Sequence, residues 1–91
     1  MYLSDQKLES MTEGALLEVA LGYVRVKLPN EKPRAVLADL IGRTEMTISN
    51  IISDQTCLSP VKWFMIERLI QEPLFWRWCN VQREKFLRSQ Q

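Results

Sequence analysis

Histidine is absent from the chain, and glycine and cysteine are scarce, at three and two residues among 91. Without histidine, and with Cys57 and Cys79 showing no metal-ligand spacing, a zinc site would rest on carboxylates alone, so neither a metal nor another cofactor is expected. Catalysis is excluded on similar grounds. There is no Gly-rich phosphate loop, no serine or cysteine stands beside an evident base, and Cys57 is a lone thiol without a basic partner. No apolar run approaches the about 18 residues of a membrane span. The polar opening stretch 1–10, with Asp5 and Glu9, fits neither a secretory signal nor a transit peptide. A reduced cytoplasmic setting with both thiols free is therefore expected.

An excess of charge of one sign is also missing. Twelve Lys and Arg stand against eleven Asp and Glu, a net charge of +1, which excludes a broad phosphate-binding surface. The charges are unevenly spread. From residue 1 to 24 the acids Asp5, Glu9, Glu13 and Glu18 face only Lys7, whereas Arg25, Lys27, Lys32, Arg34 and Arg43 cluster in the next twenty or so positions. A local basic face is compatible with this pattern.

What is present is enough apolar material for one domain spanning 1–91. The apolar share is 46%, with three Trp and three Phe as large side chains for burial. Residues 1–9 read as a polar leader. Ser10-Met-Thr-Glu13 has the form of a capping box, and Leu16, Leu17, Ala20, Tyr23, Val24 and Leu28 follow at helical spacing. Residues 23–28 also alternate as a strand does, so that stretch is left open between helix and strand. A turn at 29–32 leads to a short helix from Pro33 to Ile41, ended by Gly42, and Thr44 caps a further helix over 45–53. Ser59-Pro60 opens a fourth helix, on which Val61, Phe64, Met65, Leu69 and Ile70 form the apolar side. Pro73 breaks it. The fifth helix, from Leu74 to about Leu87, carries Phe75, Trp78, Cys79 and Phe86 on one side. The expected class is all-α, with five helices.

The most informative stretch is 33–53. Ala38 lets two helices cross closely, Gly42 supplies a left-handed residue for a tight turn, and Ile48 and Ile51 lock the second helix to the core beside Leu37 and Ile41. This pattern resembles the helix-turn-helix of the family that includes phage Cro and lambda-type repressors, with one helix before it and two after. The ending, Leu58-Ser-Pro followed later by Glu72-Pro-Leu-Phe-Trp76, is similar to that of HigA-type antitoxins. The resemblance implies a five-helix repressor-like domain whose second motif helix enters the major groove of double-stranded DNA.

On that reading Thr44, Glu45, Met46, Thr47, Ser49, Asn50 and Ser53 face the DNA, while Arg34 and Arg43 hold phosphates. Asn50 suits adenine, Glu45 suits cytosine N4, and Met46 and the Thr47 methyl suit thymine methyls. The resemblance further implies a homodimer reading a two-fold operator. Residues 59–88 close the core, and since Phe75, Trp76 and Trp78 cannot all point inward, Trp76 or Trp78 is the expected dimer or partner surface. The chain differs from the family in its long acidic first segment and in a recognition helix without Arg, Lys or Gln. Two functions fit. One is a sequence-specific transcriptional regulator, a repressor from a phage, plasmid or toxin-antitoxin pair. The alternative is a protein-binding inhibitor or adaptor on the same scaffold, with a toxin or host factor as partner.

Overall fold

Small hydroxyl residues and prolines set most of the helix starts. The computed structural model describes residues 3–90, and every regular element among them is a helix: α1 (Asp5–Glu9), α2 (Glu13–Lys27), α3 (Pro33–Ile41), α4 (Glu45–Ile52), α5 (Pro60–Ile70) and α6 (Leu74–Ser89). The side chains of Ser4, Thr12, Thr44 and Ser59 each accept a backbone N–H of the first turn, and Pro33 and Pro60 occupy first-turn positions where no N–H is needed. Pro73 has no side-chain acceptor to offer α6. Glu67 of α5 supplies one instead, its Oε2 accepting from Trp76 N at 3.1 Å.

The chain winds around α2, which packs against α3, α4, α5 and α6. Leu16, Leu17, Ala20 and Val24 of α2 meet Leu37 and Ile41 of α3, Ile48 and Ile51 of α4, and Trp63, Ile66 and Ile70 of α5 in one buried cluster. Trp63 stacks on Phe75 with ring centroids 5.2 Å apart and an interplanar angle of 7°. No helix is long and apolar enough to cross a membrane among the described residues.

The class is all-α, but there are six helices rather than five. The segment read as a polar leader contains α1, which packs on α6 with Leu8 fully buried and Leu3 nearly so. Gln82 Nε2 donates to the Leu8 and Glu9 carbonyls, and Arg77 pairs with Asp5 at 3.2 Å. Ser10 does not cap α2. It closes α1, and Thr12 caps α2, its Oγ1 accepting from Ala15 N at 3.2 Å. Residues 23–27 are helix, because Val24 is needed on the buried face of α2.

Two helical faces also differ from expectation. On α5 the buried set is Trp63, Ile66 and Ile70, while Val61 and Phe64 are exposed; on α6, Leu74, Phe75 and Val81 are buried, while Cys79 and Phe86 face outward. Both helices carry large apolar groups on more than one side, so spacing alone does not fix which side is buried.

Candidate nucleic-acid interface

The turn between α3 and α4 is built from its backbone. Gly42 adopts φ 71°, ψ 35°, and two hydrogen bonds close the end of α3: Gly42 N to Asp39 O at 3.2 Å and Arg43 N to Ala38 O at 2.8 Å. This is the Schellman arrangement, in which a left-handed residue turns the chain sharply while satisfying the last carbonyls. Lys62 Nζ donates to Ile41 O at 2.8 Å and satisfies another. Thr44 then starts α4 only two residues after the turn glycine, its Oγ1 accepting from Thr47 N at 3.3 Å.

The far end of α4 closes in the same manner with a different residue. Asp54 takes the left-handed position at φ 59°, with Asp54 N donating to Ile51 O at 3.0 Å and Gln55 N to Asn50 O at 2.9 Å. A non-glycine residue there carries a modest conformational cost. The side chain offsets it, since Asp54 Oδ1 accepts from Gly14 N at 3.0 Å and so caps the start of α2. Glu13 adds a second tie, its Oε2 accepting from Leu58 N at 3.0 Å. The C-terminus of α4 thus abuts the N-terminus of α2, where their helix dipoles are oppositely signed.

Anchored in this way, α4 packs on α2 and α3 chiefly through Ile48 and Ile51, with Ile52 partly buried beside them, and its other residues are exposed or half-buried. Met46 is 70% exposed; Thr44 and Glu45 are exposed, and Thr47, Ser49 and Asn50 are half-buried. Arg34 reaches across from α3, its Nη1 donating to Ser49 Oγ at 2.7 Å. Two shallow clefts flank the helix. One, of about 540 Å³, includes Arg25, Lys32, Arg34, Glu18 and Glu45 in its walls. The other, of about 380 Å³, brings Arg43, Thr47 and Asn50 together with Thr56, Ser59 and Lys62.

The residues singled out in the sequence therefore fall into groups. Arg34, Glu45 and Ser49 cluster at one side of α4, and Arg43, Thr47 and Asn50 at the other. Thr44 is occupied by its capping bond and lies 3.3 Å from the Thr47 hydroxyl. Ser53 stands apart, closing α4 with its backbone N–H on Ser49 O. Glu45 lies in the first turn of α4, where an acid stabilises the helix whatever else it touches. Trp76 is 59% exposed, whereas Trp78 belongs to the interior side: it is half-buried, its Nε1 donates to Met11 O at 2.9 Å, and its ring lies 6.0 Å from that of Phe75.

Sequence reasoning passed over Lys62, which stands beside Asn50 and Arg43. A signal existed. A lysine in the first turn of a helix opposes the dipole and calls for an outside acceptor, here the Ile41 carbonyl. Gly14 and Asp54 were also missed, because their pairing spans forty residues and follows no local pattern. Compared with known proteins, the chain matches no family model, no curated sequence and no solved structure.

Proposed function

We propose that the protein is a DNA-binding transcriptional regulator with a repressor-like helix-turn-helix, α3 and α4 forming the motif and α4 serving as recognition helix. The observation that carries this reading is the open face of α4, a short helix held from behind by Ile48 and Ile51 with Met46, Thr47 and Asn50 outward and Arg34 and Arg43 at its flanks. In a major groove, Asn50 bonds bidentately to adenine, Met46 and the Thr47 methyl pack on thymine methyls, and Glu45 accepts from cytosine N4. Arg34, Arg43 and Lys62 contact phosphates, and Arg34 holds Ser49 in place. So few cations make sequence-independent binding weak and its salt dependence shallow, with a slope of about −0.9 per phosphate contacted. As a dimer it places two copies of α4 in successive major grooves about 34 Å apart and obstructs polymerase. Regulators of this kind serve phages, plasmids and toxin-antitoxin pairs in the cytoplasm.

Selection from a random duplex pool at moderate salt tests the reading. An inverted repeat should be enriched by the parent chain, lose its adenine preference in Asn50→Ala, and bind uniformly more weakly in Arg34→Ala. No enriched sequence at any salt would reject it. Enrichment failure would favour a second reading, a protein-binding adaptor or inhibitor, which draws support from the net charge of +1 and from the exposed apolar side chains of α5 and α6.

A further inference from the structure

Gly22 sits in the interior of α2, where glycine weakens a helix relative to alanine, and packing gives no reason for it. A Cβ added there would meet nothing within 4 Å, and the backbone is not in the left-handed region that favours glycine. What the missing side chain provides is room. Gly22 lies in the wall of the cleft of about 540 Å³ beside α4, together with Glu18, Leu21 and Arg25 of the same helix. These four share one face of α2 at three-and-four spacing, so a carboxylate and a guanidinium are carried about 10 Å apart along the axis with an open, apolar stretch between them. Arg34 of α3 and Glu45 of α4 supply the same two signs from the other helices, and Glu31 and Lys32 do so again from the turn before α3. All six charged side chains are exposed, and none pairs with another: the ion pairs among the described residues are Arg77 with Asp5 and Arg88 with Glu9. Leu21, which is buried, and the half-buried Pro33 add apolar surface to the cleft.

We propose that this cleft binds a small zwitterion, a dipeptide or a free amino acid. Arg25 and Arg34 take its carboxylate, Glu18 and Glu45 take its ammonium, and its middle lies on Leu21 in the space that Gly22 leaves open. The balance of sign selects this class of ligand: a purely anionic molecule meets three carboxylates there and a purely cationic one meets three cations, whereas a zwitterion finds a partner for each of its ends. The volume lies within the roughly 300–1,000 Å³ of small-molecule sites. Length favours the dipeptide. Two extended residues span about 7 Å, which with a hydrogen bond at each end bridges Glu18 and Arg25 more readily than a single amino acid does. Because Arg34 and Glu45 also flank α4, the ligand acts as an effector that competes with phosphate for Arg34, and this consequence alone rests on the DNA-binding reading.

Calorimetric titration of the full chain without DNA, together with amide NMR shifts, tests the site with alanyl-leucine, leucine, N-acetyl-leucine and leucinamide. Alanyl-leucine should bind with a dissociation constant on the order of 1 mM, the range for about a dozen heavy atoms in a shallow site, and should shift the amides of Leu21, Gly22, Arg25 and Arg34. Leucine should bind more weakly, and tighter binding of leucine would assign the same site to free amino acids. The acetylated and amidated forms, each lacking one charge, should lose about fivefold or more, as should Glu18→Gln and Arg25→Gln. Gly22→Leu should fill the open stretch and abolish binding while the melting temperature stays at or above the parent's, since nothing stands where its Cβ goes. No shift at ten times the expected dissociation constant, equal binding of the two blocked forms, or parent-like binding by Gly22→Leu would overturn the site. Saturating dipeptide should weaken binding to the selected duplex, and an unchanged affinity would overturn the effector role. A chain that binds the dipeptide but selects no DNA sequence would count against the proposed function and leave the site intact.

Discussion

Alanine at position 14 should destabilise this protein, although alanine is the better helix former. A Cβ on Gly14 would stand 2.3 Å from Ile52 O, 2.7 Å from Ile51 O and 2.9 Å from Asp54 Oδ1. The first two are backbone atoms at the end of α4, and the hydrogen bonds of Asp54 and Gln55 fix that end in place. The methyl group therefore fits only if α2 and α4 separate. Forcing extra volume into such a contact costs about 1–3 kcal/mol, and the Gly14 N to Asp54 bond weakens as well. Against this, the propensity gain is at most about 1 kcal/mol and is smaller in a first turn. A net loss of roughly 2 kcal/mol should lower the melting temperature by about 8–16 °C in a domain of this size.

Gly22, in the middle of the same helix, provides the control, because nothing lies within 4 Å of its added Cβ. Gly22→Ala should raise stability by up to about 1 kcal/mol. Thermal unfolding followed by helical circular dichroism separates the two variants by sign. A Gly14→Ala variant that melts at or above the parent, or a Gly22→Ala variant that is equally damaged, would refute the close approach of α2 to α4.

Two further outcomes follow from the packing. Leu8→Ala should lower unfolding free energy in urea by about 2 kcal/mol or more, the cost of emptying a fully buried leucine site; parent-like stability would show that α1 is not part of the core. Cys79 lies at the surface, but neighbouring side chains shield its thiol from part of the solvent, and this desolvation, with the Glu13 and Glu67 carboxylates adding to it, raises its pKa above the ordinary 9.0. Its iodoacetamide labelling should thus climb at higher pH in the folded chain than in the urea-unfolded one. The thiol's contribution to stability should be complete below the unfolded pKa and decline as pH rises from there through the folded value. Coincident labelling profiles would count against this assignment.

Much of the fold can be read from local chemistry. Pro33, Gly42, Thr44, Ser59 and Pro60 do in the structure what their types dictate, since caps and turns depend on a few neighbouring residues. The buried set of α3 and α4 is legible for a related reason: Leu37, Ile41, Ile48 and Ile51 lie on faces whose other residues are mostly polar or small. Legibility fails where partners are distant or apolar groups abundant. On α5, Trp63 and Phe64 are neighbours of similar character, and only Phe75, stacked on one and edge-on to the other, decides which is interior. With only two leucines in residues 3–9, α1 offers almost no periodicity, and its helix depends on groups from α6 more than seventy residues away. In the candidate interface, the exposed row on α4 follows from helical phase, whereas the part played by Lys62 follows from a carbonyl twenty-one residues earlier.

The pairing of α1 with α6 bears on how the molecule is made. During synthesis α1 emerges before α2, α3, α4 and α5, and the helix it packs against, α6, follows all of them. Leu3 and Leu8 consequently stay open to chaperones or to wrong partners until α6 follows, while α2, α3 and α4 already have one another. A chain stalled before α6 would hold α2, α3 and α4 in near-final form with α1 loose, so nascent-chain proteolysis should cut ahead of Thr12 until α6 emerges.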